Sequence, residues 1–298
     1  MIHSPIIYSL LGGGAALLSA AAWAYTTILF SKLGNEISPP GMTLGKSIIG
    51  IVYLGIVLLV IGGEPVSAKT FLFLGLSGLL GIALGDTLYF KALMLLGPRL
   101  IVLLGVVGPV FTVVLSLIFL RETHSFLVWM GILFTLGGVL WVLWERSPQE
   151  KEGKSRVSGI VYGLLSVLFI SLGIILAKIG VKSVSAIQAT TIRLFFGGLG
   201  IFFWGATTRH LKPWLGPCLK KHLLKVLLFT VFIAIFGGFW LFILSLKYID
   251  ASIATVLNST TPLFILPMTA LVLKEKISVR EVLGAFIAVI GVTLIFTG

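Results

Sequence analysis

A carboxylate in the middle of an apolar stretch is the group in this sequence best placed to do chemistry. Of ten acidic residues, only Asp86 falls well inside a run long enough to cross a bilayer. An ionisable side chain at that depth is costly and marks a functional site by default. Asp86 can bind the amine of a small molecule or carry a coupling proton; or, lying nearer the end of its span, it can be solvated or paired with Lys46. A second polar cluster, Asn258-Ser259-Thr260-Thr261, precedes Pro262 within another apolar run. Asn258 and Thr261 there can line a cavity, or their groups can bond back to their own helix. Chemistry of other kinds lacks its residues. His3, His124, His210 and His222 sit at the terminus or in loops without metal-ligand spacing, Cys218 stands alone, and no phosphate-binding Walker sequence occurs. The expectation is therefore no enzyme, no catalytic residue, no metal and no cofactor.

The elements that must position these residues are membrane helices. Hydrophobic residues make up 58% of the 298-residue chain and charged residues only 11%, with a mean hydropathy of +1.14. Ten apolar stretches of bilayer length fall at about 8–30, 42–62, 70–96, 100–120, 126–144, 158–177, 186–205, 223–249, 252–273 and 281–297. The sequence thus predicts an all-α integral membrane protein of ten transmembrane helices. Ser19-Ala20-Ala21-Ala22 has the look of a cleavage site, but Met1 to Ser9 contains no Lys or Arg, so the first stretch reads as a retained helix. The net charge of +12 fits basic loops against anionic lipid rather than nucleic acid; the run from Arg209 to Lys225 is such a loop.

The chain is also a duplication. Pro109 and Glu122 recur 153 residues later as Pro262 and Glu275, and the offset holds without a gap from Gly85/Gly238 to Gly138/Gly291. Nearer the N-terminus an offset of 147 relates Gly12 to Gly159, Ser19 to Ser166, Lys46 to Arg193 and Gly50 to Gly197. The boundaries are a first repeat over 1–146, a linker over 147–157 and a second repeat over 158–298. Five spans per repeat is an odd number, so the copies enter the membrane in opposite senses, a 5+5 inverted repeat that points to a site between the halves. The paired prolines break helices four and nine. Each removes a backbone donor and clashes with the carbonyl four residues earlier, which frees the carbonyls of Gly105 and Asn258 toward a shared cavity and makes Pro109, Pro262 and Gly105 the hinge positions. Lys46 and Arg193, equivalent in the two halves, read as structural cations snorkelling to the interface or holding lipid phosphate. Glu122 and Glu275 read as structural anchors of tight loops, and Trp129, Trp141, Trp144, Trp204 and Trp214 as interfacial belt residues.

The pattern of central helix proline, apolar run, terminal Glu, short polar stretch and Gly-rich helix, present twice, resembles the EamA-type drug/metabolite transporters over essentially the whole chain. Arg121-Glu122, Lys274-Glu275 and Trp23-Ala24 stand where that family often has Gly-Glu and Trp-Gly. The resemblance implies a ten-helix secondary transporter in a bacterial-type inner membrane, exporting a small metabolite such as an amino acid by alternating access. It also implies a pocket built from spans one, three, four, six, eight and nine. That pocket would place Trp23, Tyr25, Tyr89, Phe239 and Trp240 as aromatic walls beside Asp86, Asn258 and Thr261. The expected partners are a small-molecule substrate that is not strongly anionic, membrane lipids and protons, with the protein a monomer. A flippase for lipid-linked sugars is the alternative, favoured if Arg193 and Lys46 point into the cavity; an enzyme on lipid-linked substrates is a third. Loop charges place both termini outside the cytoplasm, whereas the resemblance implies both inside.

Overall fold

The computed structural model describes residues 5–111, 125–144, 154–249, 254, 257–274 and 277–297. Among them all regular structure is helical. In a bilayer a chain this apolar satisfies its backbone hydrogen bonds within each segment, and helices do so. The order is α1 (Pro5–Leu33), α2 (Pro39–Ile61), α3 (Ala68–Gly78), a π-helical segment (Leu79–Asp86), α4 (Thr87–Gly105), α5 (Phe126–Trp144) and α6 (Lys154–Gly180). Then follow α7 (Ala186–Thr207), α8 (Leu211–Cys218), α9 (Lys221–Phe232), a second π-helical segment (Ile233–Trp240), α10 (Leu241–Tyr248), α11 (Thr261–Val272) and α12 (Val279–Thr297).

Helix ends follow local chemistry. Pro39 and Pro40 occupy the first turn of α2, where a missing N–H costs nothing, and α2 stops at Gly62, whose φ of 78° suits glycine. Ser67 and Ser185 accept hydrogen bonds from the Thr70 and Gln188 amides, each at 3.2 Å, capping α3 and α7. Gly97, at φ 80°, followed by Pro98, breaks α4 near its middle.

Six stretches among the described residues are long and apolar enough to cross a membrane: Leu10–Leu33, Pro39–Ile61, Ala68–Gly105, Ser155–Ser183, Ala186–Thr207 and Lys221–Tyr248. Phe126–Trp141 and Thr261–Val272 are shorter apolar helices. The protein is therefore a multi-pass, all-helical membrane protein, and the finer count of ten goes beyond these six. The break at Gly97 accounts for part of the difference, because it divides one long stretch into two. Its outer surface is lipid-like, with Leu59 88% exposed on α2, while hydroxyls such as Ser19, Thr26, Thr43, Ser47 and Ser77 and three charged side chains are buried.

Two sequence expectations change. Lys154 to Val157, assigned to the linker, already form the start of α6. The basic loop after α7 contains α8, and Trp214, expected at the interface, is buried there 5.3 Å edge-on from Trp204. Burial also pushes the Cys218 thiol on α8 up to about 11, which leaves it a poor nucleophile at neutral pH.

Contacts between the halves are reciprocal. A Cβ at Gly12 would meet Tyr248 and Ile249 at 3.2 and 2.7 Å; a Cβ at Gly159, its equivalent, would meet Leu95 and Leu96, their equivalents, at 3.0 and 2.8 Å. The first helix of each half thus packs on the third element of the other. Helices α5 and α12 do the same with each other. Gly138 faces Gly284 and Ala288, whereas Gly291 faces Gly131 and Thr135. Thr135 Oγ1 donates to the carbonyl of Ala288, its own repeat partner, at 3.5 Å. Such self-complementary pairing is what a two-fold relation produces, and small residues bring the backbones close enough for it.

A side chain at Gly291 would collide with the Thr135 amide, so Gly291→Val is expected to lower unfolding free energy by about 2 kcal/mol or more. Gly137→Val, where no neighbour stands within 4 Å, is the matched control and is expected to change stability little. Denaturant unfolding of the detergent-solubilised protein measures both; equal effects would contradict the packing account.

Candidate functional site

The paired prolines open the two broken helices from which the site is built. After Gly105, Val106 and Val107 form a turn and helix resumes at Gly108-Pro109; after Asn258, Ser259 and Thr260 form a turn and α11 begins at Thr261-Pro262. These turns are equivalent under the 153-residue offset. Each proline therefore starts a helical segment, where its fixed φ is favourable, rather than sitting inside a continuous one. At the second break the side chains close on their own backbone: Thr261 Oγ1 donates to the Asn258 carbonyl and Thr260 Oγ1 to the Leu257 carbonyl, both at 2.6 Å. The Asn258 carbonyl is thus not left open, and the polar atom left without a partner there is the side-chain Oδ1, which is buried.

The two π-helical segments sit at nearly equivalent places in the repeat, Leu79–Asp86 and Ile233–Trp240, and end at the equivalent pair Asp86 and Phe239 or one residue beyond. A π-helical turn holds an extra residue and shifts the facing of everything after it, and such segments concentrate at functional sites. Small residues brace both. Ser19 Oγ donates to the Gly238 carbonyl at 2.9 Å, joining α1 to the second segment. Gly173 on α6 lies against Gly81 of the first, and Ser77 Oγ donates to the Gly173 carbonyl at 2.6 Å.

Between these elements lies a cavity of about 200 Å³, far above the roughly 10–15 Å³ that one water needs. Trp23, Thr27, Asp86 and Tyr89 line it from α1 and the third span; Gly105, Gly108 and Pro109 from the first broken helix; Ile170 and Ser171 from α6. Arg193, Phe239 and Phe242 line it from α7, the second π-helical segment and α10, and Asn258, Thr261 and Pro262 from the second broken helix. The aromatic wall is held by contacts of its own. Trp23 meets Phe239 edge-on at 4.9 Å, and Tyr89 shares a hydroxyl hydrogen bond of 2.7 Å with Thr27.

Among the described residues, only three formally charged side chains are buried, namely Lys46, Asp86 and Arg193. Lys46 Nζ donates to Asp86 Oδ2 and lies 4.6 Å from the centre of the Phe239 ring and 5.5 Å from that of Phe90. Arg193 is 4% exposed, and its Nε has no hydrogen-bond partner. Its carbonyl presses on Gly78, where any Cβ would collide with it, so the close crossing of α3 and α7 fixes its position.

Most sequence candidates meet in this cavity, but not all. Tyr25 and Trp240 do not line it; Trp240 packs edge-on to Phe236 at 6.5 Å. Lys46 and Arg193, expected to snorkel outward, instead point inward and are buried. Glu122 and Glu275 lie outside the described residues. Thr27, Ser171 and Phe242 are cavity residues that sequence reasoning missed. Thr27 and Ser171 carried the same weak signal, a hydroxyl within the first and sixth spans.

Breaking a buried ion pair leaves a bare charge, whereas removing both members need not. Asp86→Leu is therefore expected to cost about 3–5 kcal/mol of stability, and the double change Lys46→Met with Asp86→Leu to recover most of it. A double-mutant cycle by denaturant unfolding measures this; additive losses would contradict the pairing.

Comparison with known proteins agrees with this architecture. The sequence matches the EamA-like transporter family twice, over residues 10–144 and 157–297. A protein of Archaeoglobus fulgidus described as an uncharacterized transporter is 23% identical over 286 residues, covering 94% of this chain and 96% of that one. A Sinorhizobium protein described in the same terms is 30% identical over 132 residues, 42% of this chain and 91% of its own. A solved crystal structure superposes with a TM-score of 0.68 at 16% identity, covering 96% of this chain and 95% of the other, a likeness of fold. Two family matches that together span nearly the whole sequence place this chain in the EamA-like transporter family.

Proposed function

We propose that this transporter is a secondary carrier that moves a small metabolite, an amino acid or a related amphipathic compound, by alternating access. The observation that carries the reading is the cavity walled by both halves, to which a broken helix from each contributes its proline, Pro109 and Pro262. Ten spans arranged as a 5+5 inverted repeat let the halves exchange conformations about one fixed site. The reciprocal contacts of Gly12 with Gly159 and of Gly138 with Gly291 support that exchange. Gly105 and the turns before the prolines serve as hinges. Asp86, Asn258 and Thr261 supply polar contacts and Trp23, Tyr89 and Phe239 the apolar wall. Export from the cytoplasm, across a bacterial-type inner membrane, is the direction we favour.

Asp86 and Lys46 provide a route for proton coupling, because protonating Asp86 breaks the pair and frees the ammonium. The family and its relatives argue for transport over catalysis. Arg193 in the cavity is the observation that would favour a flippase for lipid-linked sugars, but a cavity of about 200 Å³ suits an amino-acid-sized molecule better.

Purified protein in proteoliposomes is expected to show saturable uptake of one or more amino acids or related acids, accelerated by the same compound on the opposite side. An imposed pH gradient is expected to stimulate uptake in the wild type and not in Asp86→Asn. Flux that never saturates across the panel would contradict the carrier reading, and undiminished stimulation in Asp86→Asn would remove the proton role alone.

A further inference from the structure

Repeat symmetry assigns a counter-ion to each buried cation, and one of the two is missing. Lys46 pairs with Asp86 in the first half. In the second half the equivalent cation is Arg193, and the residue equivalent to Asp86 is Phe239. Phe239 does not serve Arg193; its ring lies against Lys46 instead. The buried centre of the described structure thus holds two cations against one carboxylate. Arg193 makes no ion pair among the described residues, and its Nε is buried without a hydrogen-bond acceptor. Gly81 beside it has no side chain to intervene, and a Cβ there would stand 3.5 Å from Nη2.

We infer that Arg193 is the anchor for a single carboxylate on the transported molecule, whose apolar body rests against Trp23, Phe239 and Phe242. This rests on the carrier reading above and narrows its substrate class. An arginine fork matches a planar carboxylate with two parallel hydrogen bonds. Charge decides between anions. One carboxylate brings the centre to neutrality, whereas a phosphate monoester, at about −1.5 to −2 near neutral pH, drives it past neutrality in a low-dielectric site. Asn258 Oδ1, the other buried atom without a partner in the same cavity, accepts a hydrogen bond from an N–H or O–H on the same molecule.

Equilibrium binding to the purified protein in nanodiscs, measured by calorimetry, tests the assignment independently of transport. The probes are phenylalanine, 3-phenylpropionate, leucine, phenylalaninamide, phenethylamine and inorganic diphosphate. At least one carboxylate probe is expected to bind, and to bind at least about tenfold more tightly than its amide or amine counterpart, a difference of ~1.4 kcal/mol. Arg193→Gln is expected to erase that preference and Arg193→Lys to retain part of it. The inference is overturned if no carboxylate binds, if amide and acid bind alike, if Arg193→Gln keeps the preference, or if diphosphate displaces every carboxylate probe. Carboxylate binding without saturable flux would sink the carrier reading and leave this one standing. Saturable flux of amines alone would do the reverse.

Discussion

Charge buried within the membrane is the constraint on which the rest of this structure depends. Lys46, Asp86 and Arg193 are all less than a tenth exposed, in helices whose outer faces are Leu, Ile, Val and Phe. In hydrocarbon such groups persist only where protein, water or a ligand replaces their hydration. The ion pair between Lys46 and Asp86 satisfies two of them, with aromatic rings at 4.6 and 5.5 Å taking up part of the ammonium's remaining field. The third faces the cavity. Neighbouring elements each supply something to that centre: the π-helical segments bring Asp86 and Phe239 there, the broken helices supply polar ends, and Gly78 lets α7 approach closely enough to place Arg193.

A symmetric frame and an asymmetric centre divide the work. Glycine pairs such as Gly12 with Gly159 and Gly138 with Gly291 make equivalent contacts in both halves. Residues facing the cavity do not match in this way. Asp86 stands against Phe239, and Asn258 and Thr261 against Gly105 and Gly108. Repetition gives the frame equivalent packing in its two halves, and the exceptions gather at the cavity.

Much of this was legible in the residues. Apolar runs located the helices, the 153-residue offset located both prolines and their turns, and the isolated Asp86 located the polar centre. Three features were not legible, for physical reasons. The π-helical segments have no composition of their own that sets them apart from the helices on either side. Helix α8 was hidden in the basic run from Arg209 to Lys225, whose charge reads as a solvated loop. Burial of the cations was missed because depth and facing are separate quantities. Lys46 and Arg193 each lie seven residues into a helix that begins at Pro39 or Ala186, a depth of about 10 Å at 1.5 Å per residue. That is too deep to snorkel back easily, and the inward face of the helix completes the burial. Taking the second span to begin near residue 42 made Lys46 look shallower by most of a turn.

A charged cavity inside a membrane has to be reached by water, and a carrier's cavity has to be reached from both sides in turn. Ser171, a small residue on the cavity wall, reports this directly when replaced by cysteine, since the native Cys218 is buried and weakly reactive. The decisive measurement is the rate at which a membrane-impermeant thiol reagent modifies Ser171→Cys when added to one face of sealed vesicles and then to the other. Modification from both faces, slowed by a transported compound, is the result this account predicts. Modification from one face only under every condition, or from neither, would contradict it.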